Sequence, residues 1–491
     1  MSETPASDVF REARGTSAPL TRLVELGCAA VLVMFAIAVN AGLLYRATLL
    51  LSKNRNEGWN AYHEQLLATT GALYHPLAAM ANNNYPPLSF LTVAAMTRLI
   101  PDAVFAGRAV ASAAYLLVAL SIFAIVFGLY RRALPAALAA AIFLAYMAIN
   151  ASDYVGVNDP QMLGHALMML GLWAGVRDRF SLSSTVLCAV LIALGLFAKH
   201  NIVALPIAVA LYLLIRDRIA FAVFALAGTI CAGALAAYFY LRFGPDIVAN
   251  LTVYRDYSLS RALGGAIALL MPITTLILLA LLNLFIPRGH PMRLLFVLYL
   301  GCAIVIGTVA LAGLGVAHNA MFEAAIACAL AIGCLLADPA LAASTLRPWL
   351  VLAATVGTLF TPGLMLAKDV LNFPAWRALQ RADAAATETL VDAIAARPGP
   401  ALCENLVYCY WAGKQFEFDG LTIIPAHRAG LTPETVVLDH INAQYYASIT
   451  ISGEDSGMLA ALSPDTFAAL HAHYRELPTN YRYARIYVPA R

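Results

Sequence analysis

Residues 23–45 read LVELGCAAVLVMFAIAVNAGLLY, with Glu25 as the single charge. A helix rises about 1.5 Å per residue, so roughly 20 apolar residues cross a hydrocarbon core of about 30 Å. This run is long enough to span. Arg11, Arg14 and Arg22 precede it, and a polar stretch follows. Runs of the same kind recur at 107–130, 134–150, 161–176, 183–198, 201–215, 219–241, 264–286, 294–313, 319–337 and 348–366, eleven in all. The shortest, 161–176 and 201–215, are expected to be broken or to border a cavity.

Composition agrees. Of 491 residues, 61% are hydrophobic and 12% charged, whereas soluble domains carry about 25% charged residues. So little charge cannot wet a soluble surface of this size, which excludes a soluble enzyme and a disordered chain. A formal net charge of +3 gives no reason to expect a nucleic-acid partner. The expected fold class is an α-helical polytopic membrane protein of about eleven transmembrane helices. The polar first 22 residues, and the lack of a small-residue cleavage site after the first run, do not fit a cleavable signal peptide.

Alternate loops carry the arginines: Arg131 and Arg132, Arg177 and Arg179, Arg216 and Arg218, Arg288 and Arg293, and Arg347. By the positive-inside rule this face is cytoplasmic. Residues 1–22 then form a cytoplasmic tail, and 23–376 form the membrane module with a large outer loop at 46–106. Residues 377–491 are expected to form a small α/β domain outside, periplasmic in a bacterial inner membrane. In that domain 401–404 and 485–488 read as strands, as does 435–439 (TVVLD). A short helix is expected through 408–412 and another starting at Ser463-Pro464-Asp465. Of eight cysteines, Cys403 and Cys409 lie in this polar part. On one helix their spacing is too long for a disulfide, so a bridge requires a turn between them. No cysteine pattern has zinc spacing.

Polar residues cluster at the outer ends of the runs, where burial of charge is costly and tends to be functional. Asn54-Arg55-Asn56-Glu57-Gly58-Trp59-Asn60-Ala61-Tyr62-His63-Glu64 follows the first run. On a helix Glu57, Asn60 and Glu64 share a face. Glu57 is the candidate general base or metal ligand, with Asn60 and His63 as substrate contacts. A solvated interfacial helix anchored by Trp59 and Tyr62 fits the same pattern. Asn82-Asn83-Asn84-Tyr85-Pro86-Pro87 offers amides for sugar hydroxyls, with Asn84 and Tyr85 as candidates, although the prolines alone describe a helix entry. Asp153-Tyr154-Val155-Gly156-Val157-Asn158-Asp159-Pro160-Gln161 supplies Asp159, a second catalytic or metal-binding acid or else a helix cap. Lys199 and His200 stand on the side poor in basic residues, as a phosphate partner would explain. Arg255 and Arg261 are weaker additions. His318, Asn319 and Glu323 share a face if helical, and Glu323 inside an apolar helix needs a partner.

These motifs, in this order and sidedness, resemble the outer-face residues of GT-C fold glycosyltransferases that use polyprenyl-phosphate sugars, such as bacterial glycosyltransferase family 39 and the aminoarabinose transferases. The segments Cys403-Glu404-Asn405 and Ala412-Gly413-Lys414 share in the resemblance, whereas Asn56 stands where the common pattern has an Asp. The resemblance implies transfer of a sugar from a polyprenyl-phosphate carrier to a glycan, lipid or protein acceptor at the outer face. Glu57 would act as base or metal ligand, Asp159 as the second acid, and Lys199 with His200 on the phosphate. A divalent metal held by Glu57 and Asp159 is the one cofactor it suggests. The rival class is a transporter or flippase of a lipid-linked glycan, which would carry polar residues at mid-membrane rather than at one face. The topology has a direct check: a reporter active only in the cytoplasm, fused after Arg491, should be silent, and activity would overturn the count of eleven.

Overall fold

The computed structural model describes residues 19–76, 82–252, 255–286, 289–342, 344–361, 364–418, 420, 436–452, 464–478 and 484–490. Each of the eleven apolar runs coincides with helix. These helices are α1 (Pro19–Arg46), α4 (Ala103–Tyr130), α5 (Ala133–Asn150), α6 (Pro160–Arg177), α7 (Leu182–Ala198), α8 (Ala204–Arg216), α9 (Arg218–Phe243), the pair α11 (Leu259–Leu270) and α12 (Thr274–Leu281), α13 (Arg293–Ala310), α14 (Phe322–Ala337) and α16 (Arg347–Leu359). By length and composition, seven segments among the described residues can cross a membrane: those of α1, α4, α5, α9, α11 with α12, α13 and α14. Of the two alternatives for the shortest runs, bordering a cavity is the one met: Gln161, at the start of 161–176, and Asn201 and Val203, at the start of 201–215, line cavities. α6 and α8 are continuous, and the interruption is a 3₁₀ turn at Met271–Ile273 between α11 and α12. Pro272 causes it, because it lacks the N–H an unbroken helix would need.

α14 is the central helix, buried along its whole length and packed by α4, α5, α12, α13 and α16. Its sequence FEAAIACALAIGCLLA is mostly small residues, which let neighbouring backbones approach closely. Two ion pairs tie the bundle at the arginine-rich end, Arg293 with Asp338 at 3.4 Å and Arg347 with Glu25 at 2.9 Å.

The long segment between α1 and α4 is not irregular. It folds into α2 (Asn56–Thr70) and α3 (Pro87–Met96), both set against α4 and each other. α10 (Asp246–Leu251) lies in the loop after α9. α15 (Pro339–Ala342), α17 (Leu364–Leu371) and α18 (Phe373–Ala395) follow later in the chain. Residue 377 lies inside the continuous α18, so the change to sheet comes only at Pro398-Gly399-Pro400.

Among its described residues the C-terminal unit has four strands, β1 (Ala401–Cys403), β2 (Ser448–Ile451), β3 (Tyr474–Leu477) and β4 (Arg485–Pro489), in the order β1-β2-β4-β3. β1 and β2 are parallel and the other pairings antiparallel. Its helices are α19 (Leu406–Trp411), α20 (Val436–Asn442) and α21 (Pro464–His473). Leu402, Ile441, Ile449, Leu470 and Tyr487 share its core. The expected strand at 435–439 is corrected: from Val436 the chain is helix, with Thr435 outside the described residues. Val437 and Ile441, four apart, both face the core, a helical spacing that the β-branched run disguised. Cys403 and Cys409 are bridged, with Cα atoms 5.8 Å apart. The required turn exists because Cys403 ends β1 and Cys409 lies on α19 after the corner at Glu404 and Asn405.

α19 sits on α2 through one glycine. A Cβ at Gly58 would lie 2.1 Å from the Val407 amide nitrogen and 2.3 Å from the Leu406 carbonyl carbon. Backbone cannot yield as a side-chain tip can. Gly58→Val should therefore displace α19 and destabilise the protein by about 1–3 kcal/mol or more. Thermal unfolding in detergent, with protease cleavage near α19 as a second readout, checks this; a variant matching wild type in both would disprove the close contact.

Candidate active site

The segment after α1 is folded around a buried ion pair. Glu57, in the first turn of α2, is fully buried, and Arg108, in the second turn of α4, is 2% exposed. Arg108 Nε donates to Glu57 Oε1 at 2.7 Å and Nη2 to Oε2 at 2.8 Å. Its remaining donors reach the carbonyls of Ala47, Leu49 and Leu51 at 3.2, 2.7 and 2.6 Å. Glu57 also accepts the backbone N–H groups of Lys53 at 3.0 Å and Asn158 at 3.3 Å. Burial alone would raise its pKa, but Arg108 and these donors hold it below the usual carboxylate value.

A second layer joins α2 to the loop before α6. Asn60 Nδ2 donates to the Asn158 carbonyl at 2.7 Å, and Asn158 Nδ2 to Glu64 Oε2 at 2.6 Å. Gly107 makes room: a Cβ there would lie 1.9 Å from Asn158 Oδ1. Burial, helped by the charges of Asp159 and Glu57, drives the Glu64 carboxyl well above its usual range despite the Asn158 hydrogen bond. Asp159 caps α6 through Gln161 N at 2.8 Å, and the same oxygen accepts Lys199 Nζ at 3.0 Å. Lys199 is buried, its ammonium 4.4 Å from the Tyr85 ring centre.

These networks border a cavity of about 720 Å³. Its polar lining includes Asn54, Arg55, Asn84, Asp153, His200 and Arg255. Its apolar wall includes Leu251, Val203 and, on α13, Ile306 and Val309. Val309 is also 64% exposed, as is its neighbour Val305 at 62%, so the cavity opens along an apolar outer surface. Arg55 and Arg255 have no acidic partner within 4 Å among the described residues. Asp153 is held on both oxygens, by His318 Nε2 at 3.0 Å and Asn54 Nδ2 at 2.9 Å. A carboxylate only accepts, so His318 carries its proton on Nε2. Partial burial would raise the Asp153 pKa, but these two donors lower it below the ordinary value. Burial, with the charges of Lys199 and Arg255, brings His200 down to about 4, so it is neutral near pH 7.

The structure redistributes the expected roles. Asn84, Tyr85, Lys199, His200, Arg255 and Asn319 all line the cavity. Glu57 and Asp159 do not; each is neutralised by a buried cation. Among the described residues no group of three His, Cys, Asp or Glu side chains is placed to hold a metal. Asn60 serves the α2 network. His63 is enclosed by Trp59, Phe90 and Phe416, and burial brings it down to about 3, so it is a neutral core side chain rather than a substrate contact. Glu323 has the partner it needs: its oxygens accept the N–H groups of Ala204 at 3.2 Å and Leu205 at 2.9 Å, capping α8 from a neighbouring helix. His318 reaches the site through Asp153. Arg261 pairs with Asp256 at 3.1 Å, outside the cavity lining.

Arg108 escaped the sequence reading because only loop arginines were weighed. The signal was present: an arginine at the outer start of an apolar run, where the positive-inside pattern supplies no reason for one. Arg108→Met should leave Glu57 buried and unpaired and destabilise the protein by about 3–5 kcal/mol. The double variant with Glu57→Met should recover most of that in thermal unfolding. Equal stability of Arg108→Met and wild type would sink the account.

Neither a protein-family model nor a curated protein matches the sequence. Among solved structures, the chain is similar to the crystal structure of ArnT from Cupriavidus metallidurans bound to undecaprenyl phosphate, with a TM-score of 0.63 at 13% identity, covering 93% of this chain and 98% of that one. It is likewise similar to the same protein in the apo state, with a TM-score of 0.62 at 12% identity, covering 93% and 97%. Identity this low speaks for architecture alone: the chain has the ArnT-like GT-C fold, a helical membrane module carrying a small C-terminal sheet unit.

Proposed function

We propose that the chain is an integral-membrane glycosyltransferase of a bacterial inner membrane, moving a sugar from a polyprenyl-phosphate carrier to an acceptor on the outer face. One observation carries this: a single cavity holds two unpartnered arginines and an oriented carboxylate, and opens along an apolar surface at Val309. The ArnT structure, with undecaprenyl phosphate bound, supports the carrier class.

Displacement at an anomeric carbon needs a base for the acceptor hydroxyl and charge to stabilise the departing phosphate. Asp153 fits the first need. It is anionic, lines the cavity, and is fixed by His318 and Asn54. It would take the proton as the acceptor oxygen bonds to the anomeric carbon and the carbon–phosphate-oxygen bond breaks. Arg55 and Arg255 fit the second, and the prenyl chain would lie on the apolar wall of α13. The two acids first considered for a metal already have cationic partners, so in this reading arginines take the metal's electrostatic part. The observations weigh against the transporter class: the buried charges of Arg108, Glu323 and Arg293 are each satisfied locally.

Incubation of the purified protein with polyprenyl-phosphate sugars and an extract of acceptors should release polyprenyl phosphate. Asp153→Asn should lower kcat by about 10²–10⁴-fold, with the unfolding temperature little changed. Arg255→Gln should act mainly on donor affinity, by about tenfold or more. Wild-type turnover should depend on the Asp153 carboxylate, present above its lowered pKa. Activity should therefore hold through the ordinary aspartate range and decline only below it. Activity of Asp153→Asn within a few-fold of wild type would remove it as the base.

A further inference from the structure

The charge of the donor's sugar can be read from the cavity lining, given the transferase reading on which this rests. Four cations touch the cavity: Lys53, Arg55, Lys199 and Arg255. Two of them have local partners. Lys199 is matched by Asp159 at 3.0 Å. Lys53 is 6% exposed, and its amine is taken up by the carbonyls of Leu43 and Val155 rather than left to a ligand; burial also takes it well below the ordinary lysine value. Arg55 and Arg255 remain unmatched. Against them stands one carboxylate, Asp153, the single acid in the lining among the described residues.

A polyprenyl-phosphate sugar is a phosphodiester with one negative charge. Two free arginines, one aspartate and one phosphodiester sum to zero. An ammonium on the sugar would upset this balance and would have only Asp153 to pair with, the group the reaction needs as a base and which His318 and Asn54 already hold. A carboxylate on the sugar would set a second anion beside Asp153. The rest of the polar lining is built for hydroxyl and amide groups. Asn54, Asn56, Asn84, Asn201 and Asn319 offer both donors and acceptors, with the phenols of Tyr85 and Tyr257 beside them. We infer that the transferred sugar is uncharged, carrying hydroxyl or acylated amine substituents, and that a free amino sugar is selected against.

The test compares binding of bare polyprenyl phosphate with the same carrier bearing glucose, galactose or mannose, their 2-amino counterparts, and the corresponding uronic acids. Competition against a fluorescent polyprenyl phosphate on the purified full chain gives the affinities. At least one neutral head should bind about tenfold or more tighter than its amino counterpart, the effect of an uncompensated charge near 1.4 kcal/mol. Asn56→Asp adds a carboxylate to the lining in the first turn of α2, where the helix dipole favours an acid. It should narrow that ratio by about fivefold or more, both affinities being measured on the variant so that any loss of affinity for the carrier itself cancels. An amino or uronic head that binds as well as or better than every neutral one would overturn the inference, as would neutral heads that add nothing to the bare carrier. Failure of the bare carrier itself to bind would instead overturn the transferase reading.

Discussion

A guanidinium inside an apolar bundle is tolerated only if its donors are satisfied and its charge is matched. Arg108 meets both conditions by drawing the chain around it. Three carbonyls between residues 47 and 51 and both oxygens of Glu57 converge on its donors. The chain leaving α1 must therefore bend back over α4, and α2 must begin where Glu57 can face inward. That fixes residues 53–56 at the cavity edge. The same carboxylate accepts the amide of Asn158, so the loop before α6 is registered against the same point. Arg108 touches nothing in the cavity, yet the positions of Arg55, Asp153 and Lys199 all follow from the fold it closes.

The outer face thereby sorts its charges into two kinds. Glu57 with Arg108, and Asp159 with Lys199, are buried pairs whose electrostatic work is internal. Arg55, Arg255 and the Asp153–His318 couple remain available to whatever enters. This division decides which residues can do chemistry, and it inverts the ranking that spacing suggested. An acid after the first span is conspicuous in the sequence, but its carboxylate lies outside the cavity lining and is enclosed by a bidentate arginine and two amides, so it is closed to an entering acceptor, whereas Asp153 lines the cavity.

The helical architecture, its arginine-rich end and the clustering of polar residues away from that end were legible because hydrophobic periodicity and charge sidedness are local properties of the chain. The corner between β1 and α19 could be stated as a condition for the Cys403–Cys409 bridge, and the structure meets it. What was not legible depends on pairing. That Glu323 caps α8, more than a hundred residues earlier in the chain, or that Lys199 is taken by Asp159, is a fact of tertiary contact with no trace in spacing. The strand expected at 435–439 failed for a related reason. Thr-Val-Val has strand propensity, but the spacing of Val437 and Ile441 against the sheet core favours a helix, and burial outweighs propensity.

The C-terminal unit has a place in the same argument. Tyr62 on α2 donates to the Lys414 carbonyl at 2.8 Å, Trp411 Nε1 to Asp102 at 3.1 Å, and Asn405 to Ser52 at 2.8 Å. With the close approach of Leu406 and Val407 to Gly58, these contacts set α19 on one flank of α2 while α4 holds another. The bridge to Cys403 keeps α19 folded against β1, and β1 is held by the rest of the sheet. α2 is thus clamped between a membrane helix and an outer sheet. A helix whose first turn must hold Glu57 on Arg108 and keep Arg55 beside the cavity cannot drift by an ångström without weakening both. In this arrangement the sheet unit, which contributes no described residue to the cavity lining, acts on the site by limiting the freedom of α2.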